Sequence, residues 1–149
     1  MSEKMKIIKI RPVKTPERSG KNAGIDFFIP RDFEASFILP GDQKKIPSGI
    51  KLKIPGGHCL IAFNKSGIAT KYMLQVGACL IDENYTGEIH LNLFNVGKKR
   101  IWLKPDQKIV QFVMLKPNYI DIELEEEEDK VFKESDHMER GSRGFGSTG

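Results

Sequence analysis

The chain has 149 residues, of which 39% are hydrophobic, and its formal net charge is +4. This length suffices for one domain whose core folds without a disulfide framework. A membrane span is excluded, because no stretch reaches the roughly 20 apolar residues that one requires. The opening sequence MSEKMKIIKI also lacks the apolar segment of a signal peptide. We therefore expect an intracellular, cytoplasmic protein.

The charge is distributed unevenly along the chain. Residues 1–122 hold 20 Lys and Arg against 11 Asp and Glu, whereas residues 123–149 hold 4 against 9. A basic body is typical of proteins that bind an anionic ligand such as a nucleotide or a nucleic acid. Surface lysines that serve solubility explain the same balance, and charge alone slightly favours this second interpretation.

Short strands separated by Pro and Gly breaks predict an all-β protein. The strand candidates in chain order are Lys6–Arg11, Ile25–Pro30, Ile50–Ile54, His58–Phe63, Ile89–Leu93, Arg100–Leu103, Lys108–Leu115 and Tyr119–Leu124. Apolar and polar residues alternate in the third and fifth of these, which is the period of a half-buried strand. Many short strands at this spacing favour a sandwich, a jelly roll or a barrel. Helical periodicity is scarce, and Ser66–Met73 is expected to hold a short helical turn at most.

The character of the chain changes after Pro117. The acidic run Glu125–Asp129 is followed by a polar stretch and by the terminal sequence RGSRGFGSTG. The last ten residues contain four glycines and one large apolar side chain, Phe145, so they bury too little to fold alone. A disordered tail accounts for this composition. However, glycine amides, hydroxyls and guanidinium groups around one ring are also what a polyphosphate ligand requires.

Cysteines and histidines predict neither a disulfide framework nor a metal site. Cys59 and Cys79 both lie in apolar runs, so we expect them to be small buried hydrophobic residues. The three histidines, His58, His90 and His137, do not cluster in the sequence. A zinc site or a mechanism that depends on histidine is therefore not expected.

Five segments of the chain carry residues suited to chemistry. They are AGID (Ala23–Asp26), KSG (Lys65–Gly67), GACLIDENYTGEI (Gly77–Ile89), DQKIVQ (Asp106–Gln111) and RGSRGFGSTG (Arg140–Gly149). In this order and at this spacing they resemble the five motifs of the trimeric, all-β dUTPase family. The first two segments alone would mean little, but the third and the fifth together are highly specific.

The resemblance implies an enzyme that hydrolyses dUTP to dUMP and pyrophosphate with Mg²⁺. Such an enzyme keeps uracil out of DNA and supplies dUMP for thymidylate synthesis. The implied fold is a jelly-roll-like protomer, or distorted β-barrel, that assembles as a homotrimer. We expect a β domain over residues 1–124, an acidic and polar linker over 125–139, and a flexible, substrate-closing arm over 140–149.

The third segment, Gly77–Ile89, resembles the part that binds the nucleoside. Its turn-rich sequence between two strands predicts a β-hairpin. The resemblance implies that its backbone and Asn84 lie near the uracil base, and that Tyr85 lies under the deoxyribose and leaves no room for a 2′-hydroxyl. Asp82 would be the general base that activates a water for in-line attack on the α-phosphorus. By position alone, Tyr85 is equally an aromatic residue at a strand end, and Asp82 a turn residue that caps its own backbone.

The first, second and fourth segments resemble the parts that bind metal and phosphate. The resemblance implies that Asp26 holds a hydrated magnesium ion through water and that Lys65, Ser66 and Gly67 bind phosphate. The usual residue at position 65 is arginine, and lysine keeps the charge but loses the bidentate fork. Gln111 would hydrogen-bond an α-phosphate oxygen or the attacking water. The period of its strand equally permits an outward polar residue without a role.

The fifth segment resembles an arm that closes over the substrate. The resemblance implies that Arg140 reaches the γ-phosphate, that Phe145 stacks on uracil, and that Gly146, Ser147 and Thr148 cradle phosphates. The arm would cross to a neighbouring subunit, so that each active site uses three chains. The expected partners are dUTP, dUMP and two further copies of the chain. No membrane is expected, nor a nucleic acid, because the few aromatic residues do not alternate with the lysines.

Two rival functions share parts of these segments. A dCTP deaminase has the same implied fold, but the Phe-Gly-Ser-Thr arm and the residues from Asp82 to Tyr85 favour a dUTPase. A regulatory module that binds dUTP and uses the arm as a switch for a protein partner would share every segment. The sequence leaves this second role open.

Overall fold

The computed structural model describes residues 4–137 and 140–146. The chain divides into two compact units, Met1–Pro117 and Asn118–Gly149. None of the helices within the described ranges is both long and apolar enough to cross a bilayer.

The first unit is built from short strands. Its described residues form β1 (Lys6–Lys9), β2 (Ile25–Phe28), β3 (Ser36–Ile38), β4 (Gln43–Pro47), β5 (Ile50–Lys53), β6 (Cys59–Phe63), β7 (Leu74–Val76), β8 (Leu80–Ile81), β9 (His90–Asn95), β10 (Ile101–Leu103) and β11 (Lys108–Leu115), with helix α1 (Ser66–Tyr72) after β6. In β5 the side chains alternate between buried and exposed, as the sequence predicts: Ile50 and Leu52 are buried and the two lysines are exposed.

The strands pair into four antiparallel sheets. The largest has the order β2–β11–β6–β8, and a second has the order β4–β9–β7. Strands β1 and β5 form a two-stranded sheet, as do β3 and β10. The predicted all-β class is confirmed, and within the described ranges the strands form open sheets rather than one closed barrel.

Two buried aromatic side chains pack against each other in the largest sheet. Phe27 of β2 and Phe112 of β11 are almost completely buried, and their ring centroids lie 4.6 Å apart. Burial of a side chain of this size contributes about 1.5–3 kcal/mol. Because successive side chains of a strand point to opposite faces, the adjacent residues Asp26 and Gln111 lie on the other face of the same strands.

The sequence predictions for Ser66–Met73, Tyr119–Leu124 and Cys79 differ from the structure. Ser66–Tyr72 forms a seven-residue helix rather than a turn, and it ends at Met73 in a left-handed conformation with φ of 54°. Tyr119–Leu124 forms no strand, because a strand needs the backbone hydrogen bonds of a neighbouring strand, and the described strands pair only with one another. Cys59 is buried as expected, but Cys79 is exposed.

The second unit holds little regular structure. Its described residues contain the short helix α2 (Glu128–Val131) and a 3₁₀ turn over Glu134–His137. The rings of Phe132 and His137 lie 6.1 Å apart. Neither helix buries a residue, as expected for so acidic a segment.

Candidate active site

Three adjacent strands place the first, second and fourth segments side by side. The register sets Gln111 of β11 opposite Asp26 of β2 on one side and opposite Phe63 of β6 on the other. Directly opposed residues of paired strands share a face of the sheet. The chain continues from Phe63 into Asn64 and Lys65, so these residues line one cleft of about 520 Å³ together with Asp26 and Gln111.

The Asp26 carboxylate lies between two lysine side chains. Lys65 Nζ is 2.5 Å from Asp26 Oδ1, and Lys108 Nζ is 3.7 Å from Oδ2. Lys108 also contacts Glu17 at 2.8 Å, and this hydrogen bond raises the pKa of Lys108 above its usual value. Lys65 lines the cleft, and Lys108 lies on the other side of the Asp26 carboxylate. The positive charge of these two groups suits the cleft to an anionic ligand.

The Gln111 carboxamide is held between the first and second segments. Its Nε2 donates to the backbone oxygen of Asn64 at 2.8 Å. A Cβ at position 24 would overlap Gln111 Oε1, so a larger residue in AGID at this position would displace the Gln111 carboxamide. The glycine of the first segment thus makes room for the glutamine of the fourth.

The second segment forms the start of α1. Lys65 precedes the helix in an extended conformation, and Ser66 and Gly67 form its first turn, where the backbone N–H groups have no intrahelical acceptor. The space beside Gly67 is open. Asn64 Oδ1 accepts a hydrogen bond from Val76 N at 2.8 Å and so ties this turn to β7, a role that the sequence did not indicate.

The third segment is a connection between strands rather than a hairpin of its own. The strands that pair are β7 and β9, which flank Gly77–Ile89, and β8 inside the segment pairs instead with β6. Asn92 of β9 contacts the start of this segment, where its Oδ1 accepts a hydrogen bond from Ala78 N at 2.7 Å. The predicted hairpin was therefore wrong in its pairing. Gly77 packs so closely on Asn92 that a Cβ would lie 2.0 Å from this oxygen.

The polar residues of the third segment lie on an exposed turn. Tyr85 N donates to the backbone oxygen of Asp82 at 3.1 Å, and the side chains of Asp82, Asn84 and Tyr85 are exposed. The Asp82 carboxylate makes no hydrogen bond or ion pair with any residue that the structure describes. None of these three residues lines the cleft of Asp26, so one copy of the first unit does not bring all the predicted residues together.

Glu88, at the end of this segment, is anchored by residues that the sequence analysis did not single out. Arg11 Nε and Nη2 donate to its two carboxylate oxygens at 2.8 and 3.2 Å, and Gly49 N donates to Oε2 at 2.9 Å. The Arg11 guanidinium lowers the pKa of Glu88 below its usual value of 4.5, and the Gly49 amide lowers it further.

The fifth segment belongs to the second unit. Arg140 and Arg143 exchange hydrogen bonds of 2.9 Å, each from Nε to the backbone oxygen of the other. Phe145 is completely exposed, and Gly146 has a positive φ of 76°. Ser147 and Thr148, which were predicted to cradle phosphates, lie outside the described residues.

Known proteins share both the sequence pattern and the fold. A sequence model of the dUTPase family matches residues 11–149 and so includes all five segments. The chain belongs to the dUTPase family. It is 34% identical over 131 residues to deoxyuridine 5′-triphosphate nucleotidohydrolase of Mus musculus, which covers 88% of this chain and 75% of that protein. A protein of the same name from Desulfitobacterium hafniense is 35% identical over 155 residues, with 99% and 97% covered.

Solved dUTPase structures agree with the fold of this family member. A point mutant of the dUTPase from phage 80alpha superposes with a TM-score of 0.81 at 22% identity, and the match covers 99% of both chains. At this identity the likeness shows the fold alone. The predicted family is confirmed, whereas the roles of individual residues stay predictions.

The anchored carboxylate of Glu88 gives this dUTPase-family chain a testable pH dependence. Because the pKa of Glu88 is lower in the folded protein, the ion pair stabilises the fold fully above about pH 4.5 and loses this effect as the pH falls through the lowered pKa. Glu88→Gln is therefore expected to lower the free energy of unfolding at pH 7, and the difference from wild type should shrink at pH 3. Urea unfolding of both proteins at equal concentration measures it, and a difference independent of pH would contradict the ion pair.

Proposed function

We propose that this chain is a dUTP diphosphatase, which hydrolyses dUTP to dUMP and pyrophosphate with Mg²⁺ and so limits the uracil available to DNA. The observation that carries this proposal is the cleft in which Asp26, Lys65 and Gln111 meet. A cation, a carboxylate and an amide on one face are suited to holding a polyphosphate, a metal ion and a water molecule. Family membership supports dUTP as the nucleotide.

Phosphate binding is proposed for the second segment. Lys65 supplies a positive charge, and Ser66 and Gly67 supply backbone N–H groups, with a hydroxyl on Ser66. The open space beside Gly67 admits a phosphate oxygen close to the backbone. Lys65 pairs with Asp26, so we propose that its ammonium turns from the carboxylate to the phosphates when the nucleotide binds.

We propose that Asp26 binds Mg²⁺ only when the phosphates of a bound nucleotide supply further oxygen ligands. The described residues contain no cluster of three or more acidic, His or Cys side chains that could bind a metal. Mg²⁺ commonly uses one or two carboxylates together with waters and substrate phosphates, and Asp26 is a partly exposed carboxylate at the cleft. Asp26 would hold the hydrated ion, which supplies positive charge to offset that of the triphosphate during hydrolysis.

Hydrolysis at the α-phosphorus needs a base and a fixed water. Asp82 is proposed to accept the proton of the water, because its carboxylate has no partner within the described part of the chain. Gln111 is proposed to donate from its carboxamide to the water or to an α-phosphate oxygen. The breaking bond joins the α-phosphorus to the bridging oxygen, and pyrophosphate leaves with that oxygen.

The uracil and the sugar are assigned to the third segment. Gly77–Ile89 is irregular between its two flanking strands, and this leaves backbone N–H and C=O groups for a base edge. Asn84 would lie near the base and Tyr85 under the deoxyribose. In the fifth segment, Arg140 would reach the γ-phosphate, Phe145 would stack on uracil, and Gly146, Ser147 and Thr148 would surround phosphates.

A homotrimer is proposed because a single copy separates these residues. Asp82 and Tyr85 do not line the cleft of Asp26, so we propose that a second copy brings its third segment there. Exposed Ile120, Ile122 and Leu124 alternate with acidic residues, which is the pattern of a strand that awaits a neighbour. Light scattering at micromolar concentration should give three times the chain mass of 16.9 kDa, and a monomer mass would contradict shared sites.

Substrate specificity tests the proposed function directly. Pyrophosphate and ammonia release are measured with dUTP, dTTP, dCTP and UTP, each with and without magnesium. Among the four nucleotides, we expect rapid pyrophosphate release only from dUTP. The rate should fall markedly when magnesium is chelated. Ammonia from dCTP would identify a deaminase instead, and equal rates with UTP would contradict the proposed role of Tyr85.

A further inference from the structure

The Tyr85 ring has a fixed position although it is partly exposed. Its hydroxyl donates to the backbone oxygen of Glu88 at 2.8 Å. The ring also lies against Gly87, where a Cβ would come within 2.5 Å of the hydroxyl oxygen. The ring is therefore held at two points. Its Cβ end is attached to the backbone at position 85, and its hydroxyl end is bound by the carbonyl of Glu88.

Glu88 holds its carbonyl in place through its side chain. The carboxylate is only 13% exposed and accepts three hydrogen bonds, two from Arg11 and one from the backbone of Gly49. A bidentate guanidinium–carboxylate pair fixes orientation as well as distance, which a lysine would not do. The path from the tyrosine hydroxyl therefore leads through Glu88 to Arg11, which is 77 residues away in the chain.

The backbone around Arg11 and Gly49 is closely packed. Gly49 has φ of 75°, and a Cβ there would lie 3.0 Å from both Arg11 Cβ and Val13 Cγ1. Ile10 N donates to the backbone oxygen of Gly49 at 2.8 Å, so the backbone next to Arg11 is tied to the turn before β5. Arg11 also contacts Asp32 at 3.4 Å, a second and more exposed carboxylate.

We propose that Arg11 and Glu88 are positioning residues that set the place of the Tyr85 ring and thereby the discrimination between deoxyribose and ribose. This inference rests on the proposed role of Tyr85 in excluding a 2′-hydroxyl. Neither Arg11 nor Glu88 touches the nucleotide in this proposal. They act through the carbonyl of residue 88, so a change at Arg11 should alter selectivity rather than the hydrolytic step.

The ratio of kcat/KM for dUTP to kcat/KM for UTP is the first measurement. We expect Arg11→Met to lower this ratio about tenfold, which is within the range that a small change in pocket shape produces. Arg11→Lys, which keeps the charge without the fork, should fall between Arg11→Met and wild type. The matched control is Arg31→Met, because the ion pair of Arg31 with Asp106 at 3.3 Å is exposed and its loss should leave the ratio unchanged.

The position of the ring is measured independently of activity. The chain has three tyrosines, so ring-labelled [¹³C]tyrosine gives three NMR signals that Tyr→Phe variants assign. Arg11→Met should shift the Tyr85 signal and leave those of Tyr72 and Tyr119 in place, and Arg31→Met should shift none. An unmoved Tyr85 signal in Arg11→Met would overturn the proposed coupling.

Tyr85→Ala separates failure of this inference from failure of the proposed function. If Tyr85→Ala lowers the selectivity ratio but Arg11→Met and Glu88→Gln keep the wild-type ratio, Arg11 and Glu88 do not position the ring for discrimination. If Tyr85→Ala itself keeps the wild-type ratio while folded, the role of Tyr85 is wrong and the inference falls with it. A lowered ratio in Tyr85→Ala, Arg11→Met and Glu88→Gln, with Arg31→Met unchanged, supports both.

Discussion

Asp82→Asn is expected to lower kcat for dUTP by about 10²- to 10⁴-fold, the usual contribution of a general base. Asparagine keeps the size and the hydrogen-bonding shape of the side chain but cannot accept the proton of the attacking water. The Asp82 side chain is exposed and has no partner among the described residues, so the substitution should not disturb the fold. The measurement is pyrophosphate release under single-turnover conditions, which isolates the hydrolytic step from product release.

Two controls make the result for Asp82→Asn interpretable: the affinity for a substrate analogue and the substitution of a second exposed aspartate. The Kd of a non-hydrolysable dUTP analogue, measured by calorimetry, should change little in Asp82→Asn, because the backbone of the third segment is proposed to hold the base. Asp42→Asn is the control, since Asp42 is also an exposed turn residue of the first unit. Near-full activity of Asp82→Asn, or an equal loss in Asp42→Asn, would exclude Asp82 as the base.

Long alternating strands of the fold were predictable from the sequence. The bounds of β11, Lys108–Leu115, agree with the predicted strand, because a long, mostly apolar run between turn residues provides a clear signal. The strands β3 and β8 have three and two residues and were not predicted. So short a segment has no measurable period, and its strand conformation depends on a partner that is distant in the sequence.

Asn92 shows why the path of the third segment was missed. Period-2 alternation places Asn92 on the polar side of β9, and the sequence predicts an outward residue there. The structure buries it to 8% exposure, with hydrogen bonds from Ala78 N to its Oδ1 and from its Nδ2 to Gln43 and Lys44. A buried side-chain amide needs hydrogen-bond partners, and no local sequence pattern reveals which groups of the fold supply them.

The residues of the candidate site were predictable only in part. Asp26, Lys65 and Gln111 were named from their segments, and the register of β2, β11 and β6 explains why they meet. The contact of Arg11 with Glu88 had no sequence signal, because an ion pair between residues 77 positions apart depends on the tertiary fold. Residues that position others are therefore harder to predict from one sequence than residues that lie in a recognisable segment.

Deletion of residues 140–149 is expected to lower kcat/KM for dUTP by about 10³-fold or more, a loss of the size seen when a transition-state guanidinium is removed in phosphoryl transfer. The deleted segment contains Arg140, which is proposed to bind the γ-phosphate, and Phe145, which is proposed to stack on uracil. The fold should survive, because the buried hydrophobic residues within the described ranges lie between Val13 and Phe112. Thermal unfolding and light scattering of the truncated chain check that its stability and mass per assembly are unchanged.

Single substitutions divide the effect of the deletion between charge and stacking. Arg140→Gln removes the guanidinium and keeps the length of the arm, so it should account for most of the loss in kcat. Phe145→Ala should mainly raise KM, because stacking stabilises the bound substrate and the transition state alike. Arg143→Gln is the matched control for Arg140→Gln, since both lie in the same turn and only Arg140 is assigned to the substrate.

A fluorescent reporter tests whether the arm closes at all, independently of catalysis. Trp102 is the only native tryptophan and packs edge-on against Phe37 at 4.8 Å, so Trp102→Phe keeps an aromatic ring there and removes the background emission. In that chain Phe145→Trp reports on a position whose side chain is completely exposed in the structure. Stacking on uracil should change its emission strongly when a non-hydrolysable dUTP analogue binds. If the analogue binds without changing the emission and the truncated chain keeps full activity, residues 140–149 are a tail without a role in the reaction. A change in emission together with a slow truncated enzyme would instead mean that closure of the arm is part of the reaction cycle.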